Sequence, residues 1–317
     1  MKPPSSSPPV VKTYVVVHDT TYTYEYPVGL SRQILHLSPR SMPWQACRAH
    51  TLTIAPEPQI LAENDDAFGN PTTSFIIERD HASLSVRAES RVDVTARLTP
   101  DDAATPPWAD VRSRLTYRAE RRPEPADLEA ARFLFESTRV RNNRQLAAWT
   151  APLFPPGAPI LTGVRALMNR IHSEFTFDPA ATTVSTPVLE VFAKRRGVCQ
   201  DFAHLMLSCL RSIGLAARYV SGYLLTRPPP GRPRLVGADA SHAWVSVYCP
   251  GHGWVDVDPT NNAFPSLEHV TLAWGRDYDD VIPLRGVLLG GGDHDLSIAV
   301  TVAPLEEYAS IFEKPPP

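Results

Sequence analysis

Residues 197–204 read GVCQDFAH, and this stretch determines how the second half of the chain is interpreted. Apolar side chains recur after Cys199 at helical spacing, namely Phe202, Leu205, Met206, Cys209, Leu210 and Ile213. Gly214 follows at the position where a helix typically ends in a left-handed residue. The sequence therefore predicts a helix over residues 198–213 with a cysteine at its N-terminus.

Two further blocks follow this helix along the chain. SHAW at residues 241–244 contains His242, and GWVDVDPT at residues 253–260 contains Asp258. Short runs of β-forming residues predict strands at 217–225, 243–248 and 253–257. A thiol, an imidazole and a carboxylate in one domain are the groups of a nucleophilic acyl-transfer site. The segment types fit that chemistry, with the cysteine at a helix start and the other two groups on neighbouring strands.

The chemistry requires Cys199 to react as a thiolate. The unpaired N–H groups of the helix N-terminus favour an anion there, and so would an imidazolium from His242. Asp258 is expected to hold the tautomer of that imidazole. Asp256 lies on the same strand face by parity, so spacing alone does not choose between the two carboxylates. His204 lies roughly 140° around the helix from Cys199 and is a weak candidate base.

The sequence indicates the groups that would stabilise an oxyanion less clearly than it indicates the three reactive groups. The backbone N–H of Cys199 is the natural first donor, because it projects from the helix start. The Gln200 side chain, Trp244 or another backbone group could supply the second, and the sequence does not choose among them. The remaining histidines, including His269, are interpreted as polar surface residues.

The first part of the chain has a different periodicity. Residues 13–98 alternate between apolar and polar positions with period two, which indicates antiparallel strands. From residue 126 onward helical spacing appears, with helices expected near residues 143–149 and 161–175. We therefore expect five segments: a disordered tail (1–12), an N-terminal β-domain (13–98), a linker (99–125), a catalytic core (126–303) and a C-terminal tail (304–317).

Composition excludes several classes of function. The chain has 317 residues, 43% of them hydrophobic, and a net charge of −3, so no strong field favours nucleic acid or an anionic membrane. It contains no apolar run of about 18 residues and no signal-peptide segment, so we expect a cytoplasmic location and no membrane partner. The four cysteines form no CxxC pair, and we expect neither a metal site nor a disulfide.

The three blocks together resemble the transglutaminase-like superfamily of papain-like cysteine enzymes, in its bacterial group with an N-terminal β-domain. Two further stretches are similar to that group, residues 217–223 (ARYVSGY) and 275–283 (GRDYDDVIP). The N-terminal half resembles the partner domain of the same group, and the residues that carry this likeness are His18, Thr20, Tyr22, Tyr24, Pro39, Arg40 and the FGN of 68–70. The resemblance spans most of residues 13–303.

The resemblance implies an α+β fold, in which an N-terminal antiparallel β-domain precedes a papain-like core with a helix-borne cysteine packed on a sheet that carries the histidine and the aspartate. It implies Cys199 as the nucleophile, His242 as general base and acid, and Asp258 as the orienting carboxylate. Asp277 and Tyr278 form a polar cluster that binds substrate or, equally, a structural ion pair. No cofactor is expected, and the calcium dependence of animal transglutaminases is not carried over.

The main functional hypothesis is acyl transfer at an amide carbonyl of a protein or peptide substrate, through a thioester at Cys199. An amine acceptor would make the reaction a transamidation, whereas water would make the enzyme a cysteine peptidase or amidase. A hypothesis of another class is a non-catalytic peptide-binding scaffold, although a scaffold has no need of all three reactive groups. The sequence specifies neither the oligomeric state nor the two substrates.

Overall fold

Two antiparallel sheets and a set of helices make up the architecture, seen in a computed structural model that describes residues 10–120, 122–226, 237, 239 and 241–312. The strands in this part of the chain are β1 (Val11–Leu35), β2 (Gln45–Ala55), β3 (Ile60–Asp65), β4 (Pro71–Ile77), β5 (His81–Thr95), β6 (Thr176–Phe177), β7 (Arg196–Gly197), β8 (Ala217–Leu224), β9 (Ser241–Cys249), β10 (Gly253–Val257), β11 (His269–Gly275), β12 (Leu284–Gly290) and β13 (His294–Pro304).

The helices lie mostly between the two sheets in sequence. They are α1 (Trp108–Leu115), α2 (Pro125–Ala131), α3 (Arg144–Thr150), α4 (Ile160–Glu174), α5 (Val188–Lys194), α6 (Cys199–Ser212) and α7 (Leu305–Phe312). The predicted helices near residues 143–149, 161–175 and 198–213 are confirmed within one or two residues at each end. Over the ranges given above, no helix has the length and apolar character needed to cross a membrane.

The first sheet is built on β1, a 25-residue strand that pairs with neighbours along its whole length. Its strand order is β2-β5-β1-β4-β3, and β12 and β13 pair with β1 as well. Side chains of a strand point alternately to its two faces, and β5 shows this: Leu84, Val86 and Ala88 are buried, whereas the residues between them are partly exposed. The N-terminal antiparallel sheet expected from the period-two pattern is therefore present.

The last two strands return to this first sheet. β13 runs antiparallel to β1 from Tyr14↔Pro304 to Tyr24↔His294, and β12 pairs with residues 28–35 of the same strand. We had expected the catalytic core to continue to residue 303. The strand pairing contradicts that boundary, because residues 284–304 complete the N-terminal sheet and not the sheet of the core.

The second sheet has four strands in the order β10-β9-β8-β11, all antiparallel. Helix α6 packs against it, and all of its residues from Asp201 to Arg211 are buried. Side chains from α4, α6, β8 and β9 join Val16, Val92 and Val302 of the first sheet in one continuous hydrophobic core. The predicted α+β class, with a helix-borne cysteine packed on an antiparallel sheet, is confirmed.

Three other segment boundaries differ from expectation. The expected linker 99–125 contains α1, whose Val111 and Leu115 are buried in the common core. Strand β1 begins at Val11, inside the expected N-terminal tail, and α7 occupies the start of the expected C-terminal tail. Residues 1–9 and 313–317, on which the rest of the two tail predictions falls, lie outside the described residues.

Candidate active site

Cys199 is the first residue of α6 and is half-buried. The Asp201 carboxylate fixes this helix start, because its Oδ2 accepts hydrogen bonds from the Val198 N–H (2.9 Å) and the Thr182 hydroxyl (2.6 Å). Gly197 leaves room for that carboxylate, since a Cβ at this position would lie 2.7 Å from Asp201 Oδ2. The first N–H groups of the helix have no intrahelical acceptor and remain near the sulfur.

His242 lies on β9, and Asp258 follows the neighbouring strand β10. The pairing of Val245 with Val257 aligns these strands, so the two side chains meet across them. His242 Nε2 is 2.7 Å from Asp258 Oδ2, and Cys199 lies close enough to the same imidazole to influence its pKa. Because Asp258 occupies Nε2, Nδ1 is the ring nitrogen available to Cys199.

The surroundings of His242 and Asp258 favour a charged histidine beside a charged carboxylate. Burial alone would lower the pKa of His242, but the hydrogen bond to Asp258 and the interaction with Cys199 outweigh it and raise the pKa to about 10. Burial would likewise raise the pKa of Asp258, but the hydrogen bonds from His242 and His269 outweigh it, and the pKa of this carboxyl falls well below its usual range. At neutral pH the pair is therefore an imidazolium and a carboxylate.

Asp258 accepts from several donors at once. Oδ2 receives His242 Nε2 (2.7 Å), Asn261 Nδ2 (2.7 Å) and His269 Nε2 (3.2 Å), and Oδ1 receives the backbone N–H groups of Thr260 (2.9 Å) and Asn261 (3.2 Å). The side chain is fully buried, so these bonds replace the water that it loses. The carboxylate is thereby held in one orientation toward His242.

Asp256 has a different partner. Its Oδ2 lies 2.8 Å from Arg97 Nη1, and the two form a largely buried ion pair. The sequence left Asp256 and Asp258 equivalent by parity, whereas the structure brings only Asp258 to His242.

Cys199 and His242 line a single cavity of about 440 Å³, which we call the cleft. Both sheets contribute to it. Its lining residues are His18, Thr20 and Tyr22 of β1, Leu296 and Ile298 of β13, Tyr219 and Ser221 of β8, Ser241, His242 and Ala243 of β9, Val198, Cys199 and Gln200 at the start of α6, and Phe177, Pro179, Tyr278, Ile282, Pro283 and Leu284. A larger cavity of about 580 Å³ beside Arg132, Arg276 and Arg285 has no cysteine in its lining.

Two of the four candidate binding or oxyanion residues line the cleft. Gln200 lines it beside Cys199, and its side-chain amide donates to the Val184 carbonyl (3.2 Å). Tyr278 also lines it, and burial raises the pKa of its hydroxyl. The backbone N–H of Tyr278 donates to His204 Nε2 (3.2 Å), so His204 serves as an acceptor inside the core and does not face Cys199 as a base.

The other two candidates do not line the cleft. Trp244 is fully buried, and its ring stacks on the His242 ring with centroids 6.1 Å apart. Asp277 is buried as well, and its carboxylate accepts the backbone N–H groups of Arg139 (2.8 Å) and Asp279 (2.9 Å). Trp244 therefore supports the histidine ring, and Asp277 caps a short 3₁₀ turn.

The sequence reasoning missed His269 and Asn261. His269, which we had interpreted as a surface residue, is buried, and its ring packs edge-on against Trp244 at 5.2 Å. A lone histidine in a strand carries no local signal of burial. Asn261, three residues after Asp258, could have been suspected, because asparagine in a turn often bonds to a nearby side chain or backbone group.

The cluster of His242, Asp258 and His269 is also the one group of possible metal ligands in the described part of the chain, with ligand atoms within 4.8 Å of one another. Hydrogen bonds already account for the two Nε2 atoms and Oδ2. A protonated His242 also has no lone pair to offer a metal. The chemistry of this donor set therefore fits a hydrogen-bonded pair better than a metal centre.

Comparison with known proteins identifies the family. Residues 14–93 match the bacterial transglutaminase-like N-terminal region, and residues 148–259 match the transglutaminase-like superfamily. An uncharacterized protein of Mycobacterium tuberculosis is 38% identical over 304 residues, which cover 92% of this chain and 93% of that protein. The chain belongs to the transglutaminase-like superfamily. An uncharacterized protein of Mycobacterium leprae is 32% identical over 293 residues, which cover 92% of this chain and 98% of that protein.

Two other comparisons are with an enzyme and with a candidate enzyme. The protein-glutamine gamma-glutamyltransferase of Pseudomonas aeruginosa is 37% identical over 106 residues, which are 32% of this chain and 16% of that protein. The crystal structure of a candidate cysteine protease from Cytophaga hutchinsonii superposes with a TM-score of 0.71 at 20% identity, covering 93% and 91% of the two chains. That likeness concerns the fold alone, and together with the two family matches it confirms the predicted fold.

Proposed function

We propose that this transglutaminase-like chain is a cysteine-dependent acyl transferase that opens an amide carbonyl of a protein or peptide through a thioester at Cys199. The observation that carries the proposal is that Cys199 and His242 line one cleft while His242 is hydrogen-bonded to the buried Asp258. The Cys199 thiol faces the same cleft as the protonated imidazole of His242, and the hydrogen-bonded carboxylate of Asp258 holds that imidazole in place.

The first half-reaction follows from this geometry. The Cys199 thiolate attacks the amide carbon, and the backbone N–H of Cys199 is placed to stabilise the developing oxyanion. When the C–N bond breaks, His242 Nδ1–H gives its proton to the leaving nitrogen, which departs as ammonia or an amine. The product is a thioester on Cys199 and a neutral His242 that is still bonded to Asp258.

The acceptor in the second half-reaction decides whether the enzyme is a transferase or a hydrolase. An acceptor amine or a water molecule gives a proton to neutral His242, attacks the thioester carbonyl and releases the Cys199 thiolate. We propose an amine as the acceptor, and the likeness to a protein named protein-glutamine gamma-glutamyltransferase supports that choice. Water as acceptor would make the enzyme a cysteine peptidase or amidase with the same residues.

The first experiment is the alkylation of Cys199 by iodoacetamide between pH 5 and pH 9, read by mass spectrometry in the intact protein and in His242→Ala. Labelling should persist below pH 7 in the intact protein and decline at least tenfold in the variant, because a protonated His242 stabilises the thiolate. Cys209 is an internal control, since it is fully buried and burial raises the pKa of its thiol to about 12. Labelling that rises only near pH 8.5 in both proteins would favour the non-catalytic scaffold.

The second experiment decides the acceptor. A capped glutamine peptide is incubated with a fluorescent primary amine, and the amine conjugate and the hydrolysed peptide are both quantified. Transfer predicts that the conjugate exceeds the hydrolysis product at millimolar amine, and Cys199→Ala should give neither. Hydrolysis that continues unchanged as the amine concentration rises would assign the chain to the hydrolases.

A further inference from the structure

One wall of the cleft comes from the first sheet, which contributes none of the three proposed reactive groups. His18, Thr20 and Tyr22 lie at alternate positions of β1 and line the cleft together with Leu296 and Ile298 of β13. A sheet that served only as a support would have no need of a polar stripe at this surface. The stripe contains one group whose hydrogen bonding is incomplete.

That group is the imidazole of His18, which is 1% exposed. Its Nδ1 lies 2.8 Å from the hydroxyl oxygen of Tyr223 on β8, and the two rings meet edge to face at 5.8 Å. Burial lowers the pKa of His18 to about 4, so the ring is neutral at pH 7 and carries a single N–H.

The hydrogen bonding of the Tyr223 hydroxyl determines which ring nitrogen of His18 carries that proton. Tyr223 is also buried, and among the described residues its hydroxyl has one hydrogen-bond partner, His18. If the hydroxyl donates to Nδ1, Nε2–H is the single group left unpaired; the reverse arrangement would leave both the buried O–H and the Nε2 lone pair without partners. The ring proton is therefore on Nε2.

Nε2–H has no acceptor among the residues that the structure describes. Buried N–H groups are nearly always paired in native proteins, so an unpaired one points to a partner outside the described residues. Because His18 lines the same cleft as Cys199 and His242, the natural partner is a molecule bound in that cleft.

We propose that His18 Nε2–H donates a hydrogen bond to a carbonyl oxygen of the acyl donor, which makes His18 a substrate-binding residue supplied by the N-terminal sheet. The inference rests on the proposed function for the identity of the ligand, a peptide rich in carbonyl acceptors. The bond forms in the ground state and persists in the transition state, so its loss affects KM more than kcat.

The test uses Cys199→Ala, in which binding is measured without turnover. The probe is a fluorescein-labelled, capped heptapeptide with a central glutamine, and the readout is Kd by anisotropy. His18→Leu, which removes the donor, should raise Kd roughly 3- to 10-fold, as expected for one neutral hydrogen bond, and His18→Gln, which keeps a donor, should recover part of the loss. Equal Kd values with and without His18, or no saturable binding to any variant, would overturn the inference.

A matched control separates binding from packing. His81 is another buried histidine of the first sheet with an unpartnered Nε2, but it does not line the cleft. His81→Leu should leave Kd unchanged. In chains that keep Cys199, iodoacetamide labelling should be the same with and without His18, whereas a loss of labelling in both His18 variants would show a structural role and contradict the inference.

Turnover is scored separately from binding. If the intact chain binds the probe through His18 but never converts it, the inference stands and the acyl-transfer proposal fails. If the intact chain converts the probe and His18→Leu has the same Kd and KM, the proposed function stands and the inference fails.

Discussion

Asp258 and Asp256 are two positions apart, yet one is bonded to His242 and the other to Arg97. Alternation along β10 gives both carboxylates the same parity, so no sequence rule separates them. The difference arises where the strand ends, because Asp258 lies in the turn that follows and its backbone pairs with Ala263. A tertiary turn thus decides what periodicity left open.

The two carboxylates are a matched pair for mutation. Asp258→Asn should lower kcat by at least about 100-fold with little change in KM, because the imidazole loses the carboxylate that fixes its protonation. Asp256→Asn should leave the kcat of folded protein within about threefold but cost about 3 kcal/mol of unfolding free energy, because Arg97 loses its partner. Steady-state kinetics and urea unfolding of both variants check this. The reverse pattern would assign the orienting role to Asp256.

The His242–Asp258 pair also predicts a pH dependence of stability. The pKa of His242 is raised from 6.5 to about 10, so its contribution is complete below pH 6.5 and is lost as the pH rises through 10. The pKa of Asp258 is lowered from 3.8, so its contribution is complete above that value and is lost at lower pH. The unfolding free energy of the intact chain minus that of His242→Gln should therefore be largest between about pH 4 and pH 6.5 and decrease toward pH 10. A difference that grows above pH 6.5 would contradict it.

The family resemblance, and not residue spacing, chose Asp258 over Asp256 as the partner of His242. His269 could not be found in this way. It reaches Asp258 only through the pairing of β11 with β8 at the edge of the sheet, and that pairing is not encoded in the residues near position 269. Its burial is a property of the assembled sheet.

Helix α6 was predicted to within one residue at each end. The apolar stripe and Gly214 gave residues 198–213, and the structure gives Cys199–Ser212 with Gly214 at a φ of +83°. Helical spacing and a glycine stop are local signals, which explains the agreement. The role of Asp201 at the helix start is also local in sequence, but its bond to Thr182 comes from a loop 19 residues away.

Asp201 should therefore control how well α6 presents Cys199. Asp201→Ala removes the acceptor of the Val198 N–H and of the Thr182 hydroxyl, and we expect a loss of about 1–2 kcal/mol in unfolding free energy together with slower Cys199 alkylation at pH 6.5. Asp201→Asn, which keeps an acceptor oxygen, is the control and should retain most of both. Thermal unfolding and alkylation rates measure the two effects. Unchanged alkylation in Asp201→Ala would show that the helix start is held by other contacts.

At the scale of the whole molecule, the sequence correctly predicted two sheets but misplaced the strands at residues 284–304. Alternation of Ile298, Val300 and Val302 indicates a strand, yet it says nothing about the partner of that strand. The partner is β1, more than 270 residues earlier, and Val300 and Val302 bury their side chains in the core shared by both sheets. Long-range pairing therefore makes the two halves interdependent.

A chain that ends at Pro283 tests this interdependence. It keeps Cys199, His242 and Asp258 but lacks β12 and β13, so β1 loses partners along most of its length and the cleft loses Leu296 and Ile298. We expect it to lose cooperative thermal unfolding and Cys199 labelling below pH 7. A chain that ends at Pro304 is the control and should keep both. Cooperative unfolding of the shorter chain within about 5 °C of the intact one would show that the core folds without the returning strands.

The pairing of Tyr14 with Pro304 has a consequence for how the chain can be connected. The two residues are partners in one antiparallel ladder, so their Cα atoms are only about 5 Å apart. A few added residues could join the strand ends covalently, and new termini could then be opened at an exposed connection such as residues 116–120. In that circular permutant the three catalytic blocks would keep their places in space, although they would now precede the N-terminal strands along the gene.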